Sequence, residues 1–143
     1  MTEKDIQISL YHERFRKSWA VAIPNFTPPK WFECDIWGVT KAGYATEFEI
    51  KVSMQDFRQD TKKVMSRTAA YGCPMGTLTK HERLAARDEN GPSRFVFVVP
   101  GVIANAVRAE LPDWAGLYAM EQIGRKLSLV ARAMREPPLL HKR

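Results

Sequence analysis

The sequence predicts an α/β fold, a mixed sheet of about five strands flanked by helices, and three stretches carry that expectation. Residues 33–53, ECDIWGVTKAGYATEFEIKVS, alternate in side-chain character on either side of a short polar turn, as a β-hairpin does. Residues 94–100, RFVFVVP, are an unbroken β-branched and aromatic run of the kind found in strands buried on both faces. Around these strands, apolar residues recur at steps of three and four, the period of helices packed on one side.

Taken in order, Asp5 to about Ala22 reads as a helix whose inward stripe is Ile8, Tyr11, Phe15 and Trp19. Pro24 and the segment NFTPPK end it in an irregular connection, after which Trp31 starts the first strand. Lys41-Ala42-Gly43 is a three-residue loop ending in the glycine that a type I turn with a bulge requires. With Thr40 and Tyr44 flanking it, facing residues have numbers summing to 84, so Asp35 lies opposite Glu49 and Glu33 opposite Lys51. A second helix opens at Ser53 as N-cap, with Asp56 as its capping-box partner and Met54, Phe57, Thr61, Val64, Thr68 and Tyr71 facing inward. Residues 72–92 are polar and glycine-containing, with a short helix opened by Thr79 and Glu82. After the strand at 94–100 come a helix over 101–110, a strand in WAGLYAM, a last strand in KLSLVARA, and a proline-broken basic tail, REPPLLHKR.

With 143 residues and no linker or internal repeat, residues 1–143 are expected to form one domain. Hydrophobic residues at 45% and charged residues at 27% exclude disorder and a membrane span as the governing feature. The start, MTEKD, lacks the basic-then-apolar order of a secretory signal, so a cytoplasmic setting is expected. Cys34 and Cys73 are too few for a disulfide framework and lack zinc-ligand spacing. The 22 Lys and Arg against 16 Asp and Glu give a net charge of +6, consistent with a polyanionic partner such as DNA.

The hairpin carries the chemistry. Phe48, Ile50 and Val52 face one side of their strand, and Glu47, Glu49, Lys51 and Ser53 the other. Opposed residues have Cβ atoms about 4.5–5.5 Å apart, so the Asp35 and Glu49 carboxylates can share one cation, without which they repel. Mg²⁺ takes hard oxygen ligands from one or two carboxylates plus substrate phosphate, which suits the pair. Lys51, on the same face, would orient a nucleophile or neutralise developing charge in phosphodiester hydrolysis.

Asp35 followed by Glu49-Ile50-Lys51 at hairpin spacing resembles the PD-(D/E)XK nuclease superfamily. The longer string ECD…T…GY…E-x-EIK-x-S-x-x-DF-x-x-D-x-K, from Glu33 to Lys62, is similar to the MmcB-like DNA-repair nucleases and related phage-type proteins. The resemblance implies a restriction-endonuclease-like core and Mg²⁺-dependent endonuclease activity on DNA, with Mn²⁺ as a substitute ion, in repair, recombination or phage DNA processing. It implies Asp35 and Glu49 as metal-binding acids, the Ile50 carbonyl as a further ligand, Lys51 as the catalytic lysine, and Glu13 of the first helix as an additional acid. Cys34 stands where the superfamily pattern has its proline.

Several residues keep two readings. Glu47 either assists the metal or pairs with a neighbouring strand, and Glu33 can pair with Lys51. Arg58 and Lys62, with Gln55 near them, either contact phosphates from the helix flank or are solvated charges. Trp31, Trp37 and Tyr44 either stack on bases or belong to the core, and His12, His81 and His141 have no spacing that marks a triad or zinc site. A different class of function, a non-catalytic nucleic-acid-binding or interaction module, fits the basic balance, as does a protein-inhibiting factor of phage origin. RNA offers the same phosphate as DNA, and a homodimer is one way for a small nuclease to meet two strands.

Overall fold

The computed structural model describes residues 1–60, 78–124 and 128–142, and the side chains of all of these except residues 13–18 and 128. It is an α/β structure whose mixed six-stranded sheet runs in the order β1-β2-β3-β4-β5-β6. The strands are β1 (Trp19–Phe26), β2 (Cys34–Thr40), β3 (Ala45–Ile50), β4 (Arg94–Pro100), β5 (Ala115–Ile123) and β6 (Ser128–Arg135). Four described helices are α1 (Glu3–Ser18), α2 (Met54–Gln59), α3 (Lys80–Ala85) and α4 (Gly101–Ala109). β1, β2 and β3 form an antiparallel meander, β3, β4 and β5 run parallel, and β5 and β6 are antiparallel.

The sixth strand is the one the sequence reading folded into its first helix. That helix ends at Ser18, and residues 19–26, WAVAIPNF, form edge strand β1 against β2. Trp19, Val21 and Ile23 favour a strand, and Pro24 is tolerated because an edge strand leaves one row of backbone groups unpaired.

The inward face of α1 also differs from expectation. Ile8 and Tyr11 are 49% and 40% exposed, whereas Ile6 and Leu10 are 0% and 1% exposed. Apolar residues at 6, 8, 10 and 11 permit two stripes, and polar anchors decide between them. Gln7 Nε2 donates to the Asp35 carbonyl at 2.8 Å, and Ser9 Oγ donates to the Leu129 carbonyl at 2.8 Å, turning residues 6, 7, 9 and 10 toward the sheet.

The hairpin's first strand begins at Cys34 and not at the expected Trp31, which lies in the connection before it. The other described elements follow the sequence reading. In β4, Phe95, Val96, Phe97, Val98 and Val99 are all 0% exposed, as a central parallel strand covered on both faces must be. One face packs Ile36, Phe48, Ile50, Val96 and Val98 with Ile6 and Leu10 of α1. The opposite face packs Phe95, Phe97 and Val99 with Phe57 of α2, Leu84 of α3 and Val107 of α4. Ser53 caps α2 by accepting from the Asp56 amide at 3.1 Å, and Met54 and Phe57 face inward. Thr61, Val64, Thr68 and Tyr71 lie outside the described residues. Thr79 caps α3, accepting from the Glu82 amide at 3.1 Å. The tail is docked: Leu140 is buried and its amide donates to the Ser93 carbonyl at 2.7 Å. No described helix is long and apolar enough to cross a membrane.

Candidate active site

The turn delivers the register that the glycine predicts. Gly43 has φ +88°, its amide donates to the Thr40 carbonyl at 2.9 Å, and Ile36↔Phe48, Trp37↔Glu47, Gly38↔Thr46 and Val39↔Ala45 are paired. Continued by one step, the same register sets Asp35 across from Glu49. The backbone ladder gives way there to a side chain, because the Ile50 amide donates to Asp35 Oδ2 at 2.7 Å. The carbonyl of a strand residue points to the same side as its amide, so Ile50 O is also directed toward β2. On the other side of β3, the Lys51 amide donates to the Val98 carbonyl at 3.0 Å.

Behind this hairpin end lies a chain of ion pairs under α2 and α3. Glu47 is 0% exposed and fully engaged: Trp31 Nε1 donates to Oε1 at 2.7 Å, and Lys80 Nζ binds Oε2. Lys80 Nζ also lies 3.3 Å from Glu49 Oε2, while Lys51 Nζ lies 3.3 Å from Glu49 Oε1. Lys51 continues to Asp60 Oδ1 at 2.9 Å, and His81 Nε2 reaches Asp60 Oδ2 at 2.7 Å. Asp60 Oδ1 has this ionic neighbour but no aligned hydrogen-bond donor among the described residues. The contacts of Lys51 and Lys80 to Glu49 are longer than the roughly 2.7–2.9 Å of a strong charge-assisted bond.

The charges bias one another in a definite pattern. Burial, then the Glu49 carboxylate, push Asp35 up to about 7, with Glu3 of α1 adding to the negative field and the Ile50 amide opposing. Burial also pushes Glu47 upward against the pull of Lys80. Burial alone would lower both lysines and raise Asp60. Instead, Glu49 and Asp60 hold Lys51 above the usual lysine range, Glu47 and Glu49 do the same for Lys80, and His81 and Lys51 hold Asp60 below the usual carboxylate range. Both ammoniums are therefore charged at neutral pH. Four carboxyls, Asp35, Glu47, Glu49 and Asp60, face these two ammoniums, and the deficit of positive charge falls on Asp35.

That deficit makes stability depend on pH. Asp35 has a folded value near 7 against about 3.9 when unfolded, so between these values the native state keeps a proton that the unfolded chain has released. The stabilisation is complete below about pH 4 and is lost as pH rises through 7. In chelator, Asp35→Asn is expected to match the parent at pH 4 and to exceed it by on the order of 3 kcal/mol at pH 8. Urea midpoints measured across this range test the assignment, and curves that stay parallel would remove Asp35 as the raised acid.

The sequence-predicted residues thus divide. Asp35, Glu49, Ile50 and Lys51 come together at the end of β3. Glu47 is committed to Trp31 and to Lys80 of α3, not to a neighbouring strand. Lys51 takes Glu49 and Asp60 as ion-pair partners. Gln55 is exposed on α2, and exposed Arg58 is matched by Glu110, the C-cap of α4, at 2.8 and 3.1 Å. Glu13 lies on α1 with its side chain outside the described set, and Lys62 lies outside the described residues. Among the described residues, no group of three or more His, Cys, Asp or Glu side chains converges as metal ligands would. Trp31 belongs to the core, packed so closely that a Cβ at Gly91 would stand 2.7 Å from its ring.

Sequence reasoning missed Lys80, Asp60 and His81. A signal existed for Asp60, three residues beyond inward-facing Phe57 and so on the same helix face. Lys80, Arg83 and Leu84 likewise share one face of α3, but two cations there read as solvated when both are 0% exposed. Arg83 is retained by Asp88 at 2.8 Å, by the Lys30 carbonyl at 2.9 Å and by the Trp31 ring at 4.7 Å.

No family model matches this sequence, and no curated protein matches it. Among solved structures, the SPO1766 protein of unknown function from Silicibacter pomeroyi is similar, with a TM-score of 0.52 and 18% sequence identity. The likeness is one of fold. It covers 83% of this chain and 60% of the other, so this chain spans less than two thirds of that protein's length.

Proposed function

We propose that this protein is a Mg²⁺-dependent nuclease of the PD-(D/E)XK kind that hydrolyses DNA phosphodiester bonds, with Mn²⁺ able to replace Mg²⁺. The observation that carries this reading is the meeting of Asp35, Glu49 and the Lys51 ammonium at one end of the hairpin, with Asp35 pushed up to about 7 by burial and by the Glu49 carboxylate beside it. A hard divalent ion fits there, since the donors are carboxylate and backbone oxygens. Asp35, Glu49 and the Ile50 carbonyl would hold the ion, which when bound supplies a more acidic water and neutralises phosphate charge. Lys51 donates from its ammonium to the phosphate as charge develops there, and its high pKa suits it to donate rather than to act as a base. Asp60 fixes the position of that ammonium. The net charge of +6 favours a polyanionic substrate.

The test is cleavage of labelled duplex, single-stranded and junction DNA, with an RNA control, by the purified chain in Mg²⁺ and in chelator. Metal-dependent cleavage that disappears in Asp35→Asn and Glu49→Gln is expected. Cleavage that persists in both variants would place the activity elsewhere.

A second reading rests on Glu49, whose two oxygens already face ammoniums. On that reading the ion-pair chain is structural and the protein binds nucleic acid without cutting it. Its mark would be salt-sensitive DNA binding, unchanged or stronger after removal of Asp35 and Glu49, with no cleavage in any metal.

A further inference from the structure

We infer that Lys80 is a built-in cation that takes the place of a second metal ion, so that the acid cluster accepts one divalent ion, at Asp35 and Glu49. The inference rests on the metal-dependent reading above and settles how many ions that site holds.

Glu49 is the acid common to both positions. Its Oε1 faces Lys51 and its Oε2 faces Lys80, each at 3.3 Å, and its carboxylate also raises the pKa of Asp35. Two-metal hydrolases set their ions about 3.5–4 Å apart, close enough for one carboxylate to serve both. Here the second position is bracketed by Glu49 Oε2 and Glu47 Oε2, and Lys80 Nζ sits between them. Lys80 is 0% exposed, and its Nζ lies 5.2 Å from the centroid of the Phe95 ring and 5.9 Å from that of Phe32. That position is fully buried, and an ion arriving beside the ammonium would meet a like charge in a low-dielectric layer. Trp31 completes the substitution by donating to the other oxygen of Glu47, so that both oxygens of that acid are already engaged by the protein.

The experiment counts ions. The chelator-stripped full chain is titrated with Mn²⁺ alone, and free ion is read by its paramagnetic resonance signal. One ion per wild-type chain is expected, and none for Asp35→Asn. Lys80→Met leaves Glu47 and Glu49 facing each other with no cation between them, Lys51 remaining only on the other oxygen of Glu49. This variant is expected to fold only with Mn²⁺ and then to bind two ions. Lys80→Met combined with Glu47→Gln removes both charges of the pair and is expected to fold without metal and bind one ion. Two ions on the wild-type chain would overturn the inference while leaving the nuclease reading intact, as would a Lys80→Met chain that folds and binds one. A wild-type chain that binds none would overturn the metal-dependent reading and the inference together. Should Lys80→Met fail to fold in either condition, the wild-type count and the double variant decide the matter, two ions on either being the contrary result.

Discussion

On the proposed nuclease reading, Lys51→Ala is expected to lower the single-turnover rate of Mg²⁺-dependent DNA cleavage by about 10²–10³-fold, the usual cost of removing one preorganised donor to a charge that develops in the transition state. The ammonium is preorganised by three features. Asp60 holds it at 2.9 Å, Glu49 lies at 3.3 Å, and the Lys51 backbone is tied to Val98 of the central strand at 3.0 Å. Because its pKa lies above the usual range, the side chain is a fixed positive charge through neutral pH, so the loss should be uniform between pH 6 and 9. DNA affinity and Mn²⁺ binding should change only a few-fold, since neither depends on that single charge, and the effect should appear in kcat rather than KM. Lys51→Arg should recover little of the rate, because a planar fork cannot occupy the pocket of a compact ammonium between two carboxylates. A variant that cleaves within a few-fold of the parent at saturating enzyme would show that Lys51 serves only the ion-pair chain.

How much of this could be read from the sequence depends on whether the information was local. The hairpin was legible because Gly43 fixes the turn, the turn fixes the register, and the register alone brings Asp35 to Glu49. β4 was legible because burial on both faces leaves no room for a polar residue between Phe95 and Val99. The rotation of α1 was not, because its apolar residues allow two stripes and the choice is made by hydrogen bonds from Gln7 and Ser9 to carbonyls 28 and 120 residues away. β1 was hidden for a related reason: the spacing of Phe15 and Trp19 continues a helical period past the point where the edge of the sheet recruits the chain.

The site shows the same division. The acids and the lysine on β2 and β3 follow from strand geometry, but the partners that set their charges come from α2 and α3. Lys80 looks solvated in the sequence because the nearest acid in the chain, Glu82, is two residues on and does not share its helix face. The justification for burying it lies 31 and 33 residues earlier, at Glu49 and Glu47. A long-range ion pair under a short helix leaves no period or motif to detect, so the excess of buried cations on the inward face of α3 is itself the only trace.

Glu47 provides the second large effect, and its direction separates structural from metal-binding work. Glu47→Ala is expected to destabilise the fold by about 3–5 kcal/mol in chelator, the range for removing one partner of a buried ion pair. Lys80 would keep only the 3.3 Å contact with Glu49 while remaining 0% exposed, and the Trp31 indole N–H would lose its acceptor. Against a typical domain stability of about 5–15 kcal/mol, that loss brings the variant near unfolding. The matched surface control is Glu121→Ala, which breaks the pair with Arg132 between side chains 44% and 57% exposed and should cost less than about 1 kcal/mol. Glu47→Leu with Lys80→Met should recover most of the deficit, because an apolar pair of similar volume avoids the desolvation that the ion pair incurs. If Glu47 were instead a metal ligand, its removal would spare stability in chelator and appear as weakened Mn²⁺ binding. Urea midpoints with and without Mn²⁺ therefore assign the residue, and the pairing of Glu47 with Lys80 requires that the loss of stability be present before any metal is added.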